Sequence, residues 1–219
     1  MDVHKAIRER RTTREYMDIP VEFDKVTEIV DAGRLAPSAG NLQNWKFIVV
    51  FNEAIRQQIA EACLQQYWMA KAPIHIVVCT EPEKAKTFYG IRGERLYSIQ
   101  NCAIAATHMM LQAQELGLKT AWVGAFDEDM LKRTLNIPGT ARPQVVLTVG
   151  YSDEKPPMPM KYAIEHCFYF DTWKNQIIDP LYTLGYKSHK VEAFIKKMKE
   201  LGKKTAEKLS NVGEKPKKK

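Results

Sequence analysis

The sequence predicts interleaved helices and strands, of the α/β or α+β class, with helices covering a central sheet. Short apolar runs rich in β-branched and aromatic residues alternate with segments of helical periodicity. Several of these runs are continuously apolar, as in strands buried on both faces. A chain of 219 residues with 45% apolar residues is long enough for one sizeable core.

The first half of the chain predicts three helices and two strands. Helices are expected over residues 2–11, between Pro20 and Pro37, and from about Glu53 to Gln66. The runs KFIVVF (46–51) and PIHIVVCT (73–80) are typical of buried strands. Residues 81–93 hold Pro82, Gly90 and Gly93 among aromatic and charged residues, which favours a loop or an irregular helix.

The second half continues the alternation. A long helix with a broad apolar face is expected over 95–116 and ends at Gly117. KTAWVGAF (119–126) and QVVLTVGY (144–151) predict strands, with a short helix between them whose first turn is acidic. SDEKPPMPM (152–160) predicts an extended connector, and 187–219 predicts a helix to about Leu209 that then frays.

The net charge of +7 is concentrated in the C-terminal extension. Residues 187–219 contain 12 lysines and 4 glutamates, whereas residues 1–186 have a net charge of −1. We therefore expect two parts, a folded domain over 1–186 and a basic extension over 187–219. A nucleic-acid-binding domain would be expected to have its basic stripe on the folded body.

Several chemistries lack their usual signatures. The sequence has no C-x-x-C pair, no H-E-x-x-H, no P-loop, no G-x-G-x-x-G and no G-x-S-x-G. The four cysteines lie in apolar contexts and are expected to be buried thiols of a reducing compartment. No apolar run reaches the ~18 residues of a membrane span, and no secretory h-region is evident, so a cytoplasmic location is expected. An enzyme of this sequence would rely on a cofactor, without a metal.

Three polar clusters stand out: RRTTR (10–14), APSAGNLQNW (36–45) and WVGAF (122–126). Arginine and threonine together suit a phosphate monoester. In an extended chain, Arg10, Thr12 and Arg14 would point the same way. Amide side chains suit the edge of a ring that offers donors and acceptors, and a glycine after a strand lets backbone N–H groups approach a ligand.

The order of these clusters resembles the FMN-dependent nitroreductase family from about Val3 to Trp173. RRTTREY, APSAGNLQNWKFIVV (36–50), GLKTAWVGAFDEDMLKRTLNIP (117–138) and RPQVVLTVGYSDEKPP (142–157) carry the resemblance. It implies an α+β fold with a mixed or antiparallel sheet of four to five strands flanked by helices. It also implies an intertwined homodimer with FMN at the interface.

The resemblance also implies roles for individual residues. The phosphate and ribityl chain would be held by Arg10, Thr12 and Arg14, by the backbone of Arg11, and by Lys161. The loop that covers the flavin from the other subunit would consist of Pro37, Ser38, Ala39 and Asn41. Gln66 would meet the pyrimidine edge, and the backbone N–H groups of Gly124 and Ala125 would lie near flavin N5, with no catalytic side chain.

Three positions depart from the family pattern. Asn44 stands where the family often has proline, and Asn101 stands where an aspartate is common. Lys161 replaces a frequent arginine. The segment TFYGIRGERLY (87–97) is expected to roof a substrate pocket with Phe88, Tyr89 and Arg92, or else to pack its aromatic residues against the dimer with Arg92 solvated.

The resemblance implies an NAD(P)H oxidoreductase that passes a hydride through flavin N5 to a nitroaromatic, quinone or flavin acceptor by a ping-pong mechanism. Other flavin chemistry on this fold is an alternative, namely reductive dehalogenation, flavin breakdown or oxidation of peptide-derived rings. A second alternative is a nucleic-acid or anionic-surface binder that uses Lys196, Lys197, Lys203 and Lys204. A third is a non-catalytic flavin-binding module.

Overall fold

The computed structural model describes residues 2–175 and 196–200. Its helices are α1 (Val3–Glu9), α2 (Phe23–Arg34), α3 (Glu53–Ala62), α4 (Pro82–Arg92), α5 (Ser98–Glu115) and α6 (Glu128–Leu135). Its strands are β1 (Trp45–Val50), β2 (Ile74–Thr80), β3 (Lys119–Val123) and β4 (Arg142–Gly150). Short 3₁₀ turns occupy Ala39–Asn41, Tyr67–Lys71 and Ile164–His166, and a π turn spans Gly93–Tyr97.

The strands form one antiparallel sheet in the order β1-β2-β4-β3. Beyond β3, the extended N-terminal segment adds a parallel bridge between Thr12 and Thr120, and the Thr13 N–H donates to the Thr120 carbonyl at 3.2 Å. A four-stranded sheet flanked by helices agrees with the predicted α+β class. The bridge places the arginine segment, residues 10–14, along the β3 edge.

Both faces of the sheet are covered. Ile74, Ile76 and Val78 of β2 pack into one core with α2 and α5, whereas Val77 and Cys79 pack into a second core with α3 and α6. Successive strand residues point to opposite faces, so the alternation explains why β2 is buried along its whole length. The prediction of strands buried on both faces is confirmed.

The structure corrects some predicted boundaries. The helix expected to reach Gln66 ends at Ala62, because Leu64 and Gln65 adopt positive φ angles of 58° and 59° that cannot continue a right-handed helix. Residues 81–93 follow the irregular-helix alternative, since α4 is interrupted at Gly90 (φ 58°). Cys167 is exposed, whereas the other three cysteines are buried as expected.

The chain divides into two units, and the four strands belong to the first, which ends at Met158. The expected domain boundary at residue 186 and most of the basic extension lie outside the described residues; residues 196–200 are helical. In the described part of the chain, no helix has the length and apolarity needed to cross a membrane.

Candidate functional site

Arg10 carries an unpaired donor in a buried position. It caps the C-terminus of α1, where its N–H donates to the Ala6 carbonyl at 3.0 Å. Its Nη1 is buried and has no hydrogen-bond partner among the described residues. Burial, followed by the charge of neighbouring Arg11, lowers the pKa of Arg10. A desolvated cation with an unpaired donor is costly, so this position favours a bound anion.

The residues of the arginine segment point to two sides. Arg11 and Thr13 line a cavity of about 330 Å³, whereas Arg10, Thr12 and Arg14 do not. Arg11 is committed to the backbone, because its Nη1 donates to the carbonyls of Arg8 at 2.7 Å and Arg10 at 2.8 Å. This alternation agrees with the extended conformation expected for residues 10–14.

Arg14 is fixed at its backbone and supported at its guanidinium. Its N–H donates to Glu154 Oε2 at 2.9 Å, and its guanidinium carbon lies 5.8 Å from the ring centroid of Trp68. Trp68 lies in the 3₁₀ turn that follows Gln66, so this contact brings the Gln66 turn toward the arginine segment. Gln66 Nε2 donates to the Cys63 carbonyl at 2.9 Å. Trp68 was not predicted from sequence, because no local spacing relates it to Arg14.

Gly124 and Ala125 directly follow β3 at the same sheet edge. Both residues are exposed, and their N–H groups donate to no residue within the described ranges. The chain is fixed just beyond them, where the Asp127 N–H donates to the Ala62 carbonyl at 2.8 Å. Two exposed backbone donors on a fixed turn are suited to an electron-rich ligand atom.

The predicted covering loop, residues 37–41, lies at the opposite sheet edge, just before β1. Ser38 Oγ accepts from the Gln43 N–H at 3.0 Å, and the Ala39 N–H donates to Asn101 Oδ1 at 3.0 Å. Pro37 is exposed, and Asn41 has a φ of 54°. This loop is therefore held by local bonds and by one bond to α5.

The predicted roof of the substrate pocket contacts this loop. At Gly40 (φ 55°), an added Cβ would lie 2.2 Å from the Tyr89 hydroxyl, so the tip of Tyr89 lies directly against the loop, and the positive φ favours glycine. Arg92 is exposed, and its Nε donates to the Tyr97 hydroxyl at 3.1 Å. Phe88 is 67% exposed. Tyr89 thus lies against the covering loop, whereas Phe88 and Arg92 are exposed residues of the same helix, α4.

The predicted residues thus form two groups on the first unit. One group, at the β3 edge, comprises the arginine segment, the Gln66 turn, Gly124 and Ala125. The other, at the β1 edge, comprises the covering loop and the roof. Lys161 is exposed and belongs to the second unit.

An antiparallel sheet between two helical layers, with an arginine donor at one edge that has no partner among the described residues, defines an α+β protein that is suited to an anionic ligand. Residues 7–151 match the family model described as Nitroreductase family. The chain therefore belongs to the nitroreductase family.

Named relatives agree with this assignment. A "Putative NADH dehydrogenase/NAD(P)H nitroreductase" of Methanothermobacter thermautotrophicus is 34% identical over 162 residues, covering 71% of this chain and 80% of the relative. "FMN reductase [NAD(P)H]" of Bacillus subtilis is 27% identical, covering 80% and 76% of the two chains. The solved "FMN-dependent Nitroreductase" of Clostridium difficile superposes with a TM-score of 0.68 at 25% identity, covering 78% of this chain and 99% of that one.

Proposed function

We propose that this protein is an NAD(P)H-dependent oxidoreductase that binds FMN between two copies of the chain and reduces a nitroaromatic, quinone or flavin acceptor. Family membership and the names of the relatives support the reaction class. The observation that carries the cofactor assignment is the buried, unpaired Nη1 of Arg10. A phosphate group supplies the charge and the acceptor oxygens that this atom needs.

The residues at the β3 edge fit the parts of FMN. Arg10, Thr12 and Arg14 would hold the phosphate and ribityl chain. Gln66 offers an amide to the pyrimidine edge of the ring. Gly124 and Ala125 offer N–H groups that point to no described acceptor. Together these residues supply charge at one end of the cofactor and neutral donors at the other.

The covering loop is assigned to the second subunit because it lies at the other sheet edge. β2 and β4 separate β1 from β3, a lateral distance of roughly 14 Å at ~4.8 Å per strand. A loop at the β1 edge of one copy and the arginine segment of the other would each contribute one wall. The site is then complete only in the dimer.

When bound, FMN supplies the redox chemistry, accepting a hydride from NADH or NADPH and passing two electrons to the acceptor. The protein holds and orients the reactants. The N–H groups of Gly124 and Ala125 stabilise negative charge on the ring without reorganisation. The roof residues Phe88, Tyr89 and Arg92 would shape one pocket that the nicotinamide and the acceptor occupy in turn, which is the basis of ping-pong kinetics.

The direct experiment is the visible spectrum of the purified protein. Flavin bands that bleach under anaerobic NADH or NADPH, and return on addition of an acceptor, are expected. Parallel lines in double-reciprocal plots would support the shared pocket. A colourless preparation that binds no added FMN would overturn the proposal, and bound flavin that neither nucleotide bleaches would indicate a binding module instead.

A further inference from the structure

A buried amide pair connects the core to the covering loop. Asn44 is 0% exposed and Asn101 is 2% exposed. Asn101 Nδ2 donates to Asn44 Oδ1 at 2.7 Å, and Asn101 Oδ1 accepts from the Ala39 N–H at 3.0 Å. Asn44 and Asn101 are two of the three positions at which the sequence departs from the family pattern, the third being Lys161.

The orientation of the Asn44 amide is fixed by its other neighbours. Its Nδ2 lies 2.9 Å from Thr80 Oγ1, 3.0 Å from Ser98 Oγ and 3.3 Å from the Glu81 carbonyl oxygen. The Glu81 carbonyl can only accept, and the Ser98 hydroxyl already donates to the Gly93 carbonyl at 2.9 Å. Asn44 must therefore direct its NH₂ group toward them and its Oδ1 toward Asn101.

The orientation of the Asn44 amide determines the orientation of the Asn101 amide. Because Asn44 presents an acceptor, Asn101 must present its NH₂ group to it, which leaves Oδ1 directed at Ala39. Donors and acceptors thus run in one direction from the Ala39 N–H through Asn101 and Asn44 to the Glu81 carbonyl, just beyond β2. At position 101, an amide can both accept from Ala39 and donate to Asn44, whereas an ionised carboxylate of the same length can only accept.

We propose that Asn101 is a positioning residue that holds the covering loop in place for FMN, with Asn44 setting its orientation. The inference rests on the proposed function, since it assigns a purpose to the loop that would cover the flavin of the other subunit. A preorganised loop loses less conformational entropy when the cofactor binds, so the pair contributes to FMN affinity without touching the cofactor.

Two substitutions separate the bonds of Asn101. Asn101→Leu has a similar volume but neither donates nor accepts. Asn101→Asp keeps an acceptor for the Ala39 N–H, and in its ionised form it loses the donor to Asn44. Hydrogen exchange of the amide of Ala39 is measured on flavin-free protein by mass spectrometry of peptides covering residues 36–44. The dissociation constant of FMN is measured by fluorescence quenching.

We expect Asn101→Leu to accelerate exchange at Ala39 and to weaken FMN binding, each roughly fivefold, as for the loss of one neutral hydrogen bond. Asn101→Asp should retain most of the Ala39 protection and bind FMN more tightly than Asn101→Leu. Gln114→Met is the matched control, since Gln114 is a buried amide on the same helix that bonds to Lys119 instead. It should leave both readouts unchanged.

The inference is overturned if Asn101→Leu changes neither readout, or if Gln114→Met changes both equally. Rapid exchange of the Ala39 amide in the unsubstituted, flavin-free protein would overturn it as well, whether or not the variants fold. Failure of the unsubstituted protein to bind FMN is a different outcome, because it contradicts the proposed function and leaves the exchange result as a separate measurement of the bond to Ala39.

Discussion

The two edges of the sheet differ in how they satisfy buried polar atoms. At the β3 edge, Arg10 Nη1 and Thr13 Oγ1 are buried and have no partner among the described residues. At the β1 edge, Asn44 and Asn101 are equally buried, yet their amides bond to each other and to the surrounding backbone and hydroxyls. Within the described residues, the β3 edge leaves buried polar atoms without hydrogen bonds, whereas the amides at the β1 edge have theirs.

This difference indicates which edge provides ligand affinity and which provides shape. An unpaired buried polar group costs about 1–3 kcal/mol, and more when it is charged. A ligand that pairs with it recovers that cost, so the arginine segment should bind strongly and stabilise the fold little. The amide pair is already satisfied, so it should stabilise local structure and affect binding only indirectly.

The largest expected effect comes from removing both cations of the arginine segment. Arg10→Met combined with Arg14→Met deletes two charge-assisted contacts, each contributing about 1.5–3 kcal/mol. The two losses together predict that FMN affinity falls by roughly 10²- to 10⁴-fold. Thermal unfolding of the flavin-free variant should occur no earlier than in the parent protein, because an unpaired buried cation is removed.

Arg8→Met provides the matched control for this experiment. Arg8 is exposed on α1 and lines the same cavity as Arg11 and Thr13, and its side chain has no hydrogen-bond partner within the described part of the chain. Its substitution should leave FMN binding within about twofold. Near-normal FMN binding by the double variant would show that the β3 edge is not the phosphate site.

His75, on the central strand β2, is a further buried residue with an unpaired atom among the described residues, and its ring is uncharged. Its Nε2 bonds to the Met69 carbonyl at 2.9 Å, and its Nδ1 is buried without a described partner. Burial, together with the charge of Arg56, lowers the pKa of His75 from 6.5 to about 4. The His75 ring is therefore neutral in the folded state. As pH falls below 6.5, the unfolded state binds a proton that the folded state does not bind, and this lowers the free energy of unfolding.

Stability should therefore be complete above pH 6.5 and decrease by about 3 kcal/mol as pH falls toward 4. Urea unfolding at several pH values measures this, and His75→Gln, which keeps a donor for the Met69 carbonyl, should remove most of the slope. The carboxyl groups of Glu22 and Glu128, whose pKa is lowered to about 2, contribute only below about pH 4.5. An unchanged slope in His75→Gln would contradict the assignment.

The helices and strands that form the layers of the fold could be predicted from sequence, because the spacing of apolar residues shows which faces are buried. β2 reads as a continuous apolar run, and α2 shows a period near 3.6, so both were expected with nearly correct bounds. The end of α3 was not, because the positive φ angles of Leu64 and Gln65 depend on local chain geometry that neither residue type signals.

Only those parts of the candidate site that are contiguous in sequence could be predicted. The arginine segment and the turn after β3 are each contiguous in sequence. Trp68 under Arg14, and Asn101 beneath Ala39, depend on contacts between distant segments that no spacing encodes. Asn101 was noticed only as a departure from a family pattern, and its partners became evident once the backbone was in place.

Trp68 contacts the guanidinium of Arg14 at the β3 edge through its ring face, which attracts the cation and leaves its charge available for a ligand. Trp68→Leu should weaken FMN binding about two- to fivefold, the value of an exposed cation–π contact. In an Arg14→Met background the same substitution should have no effect, because the guanidinium that Trp68 supports is absent. Equal effects in both backgrounds would mean that Trp68 acts independently of Arg14.

The smallest expected effect concerns the roof near the β1 edge. Arg92 is exposed and bonded to the Tyr97 hydroxyl, so Arg92→Ala should leave FMN content unchanged and shift the KM for nucleotide or acceptor about two- to threefold. Tyr97→Phe, which keeps the ring and removes the bond, should shift KM less, because the guanidinium remains. Loss of bound FMN in Arg92→Ala would contradict the substrate role, because it would mean that Arg92 helps to hold the cofactor and does not act on the nucleotide or acceptor alone.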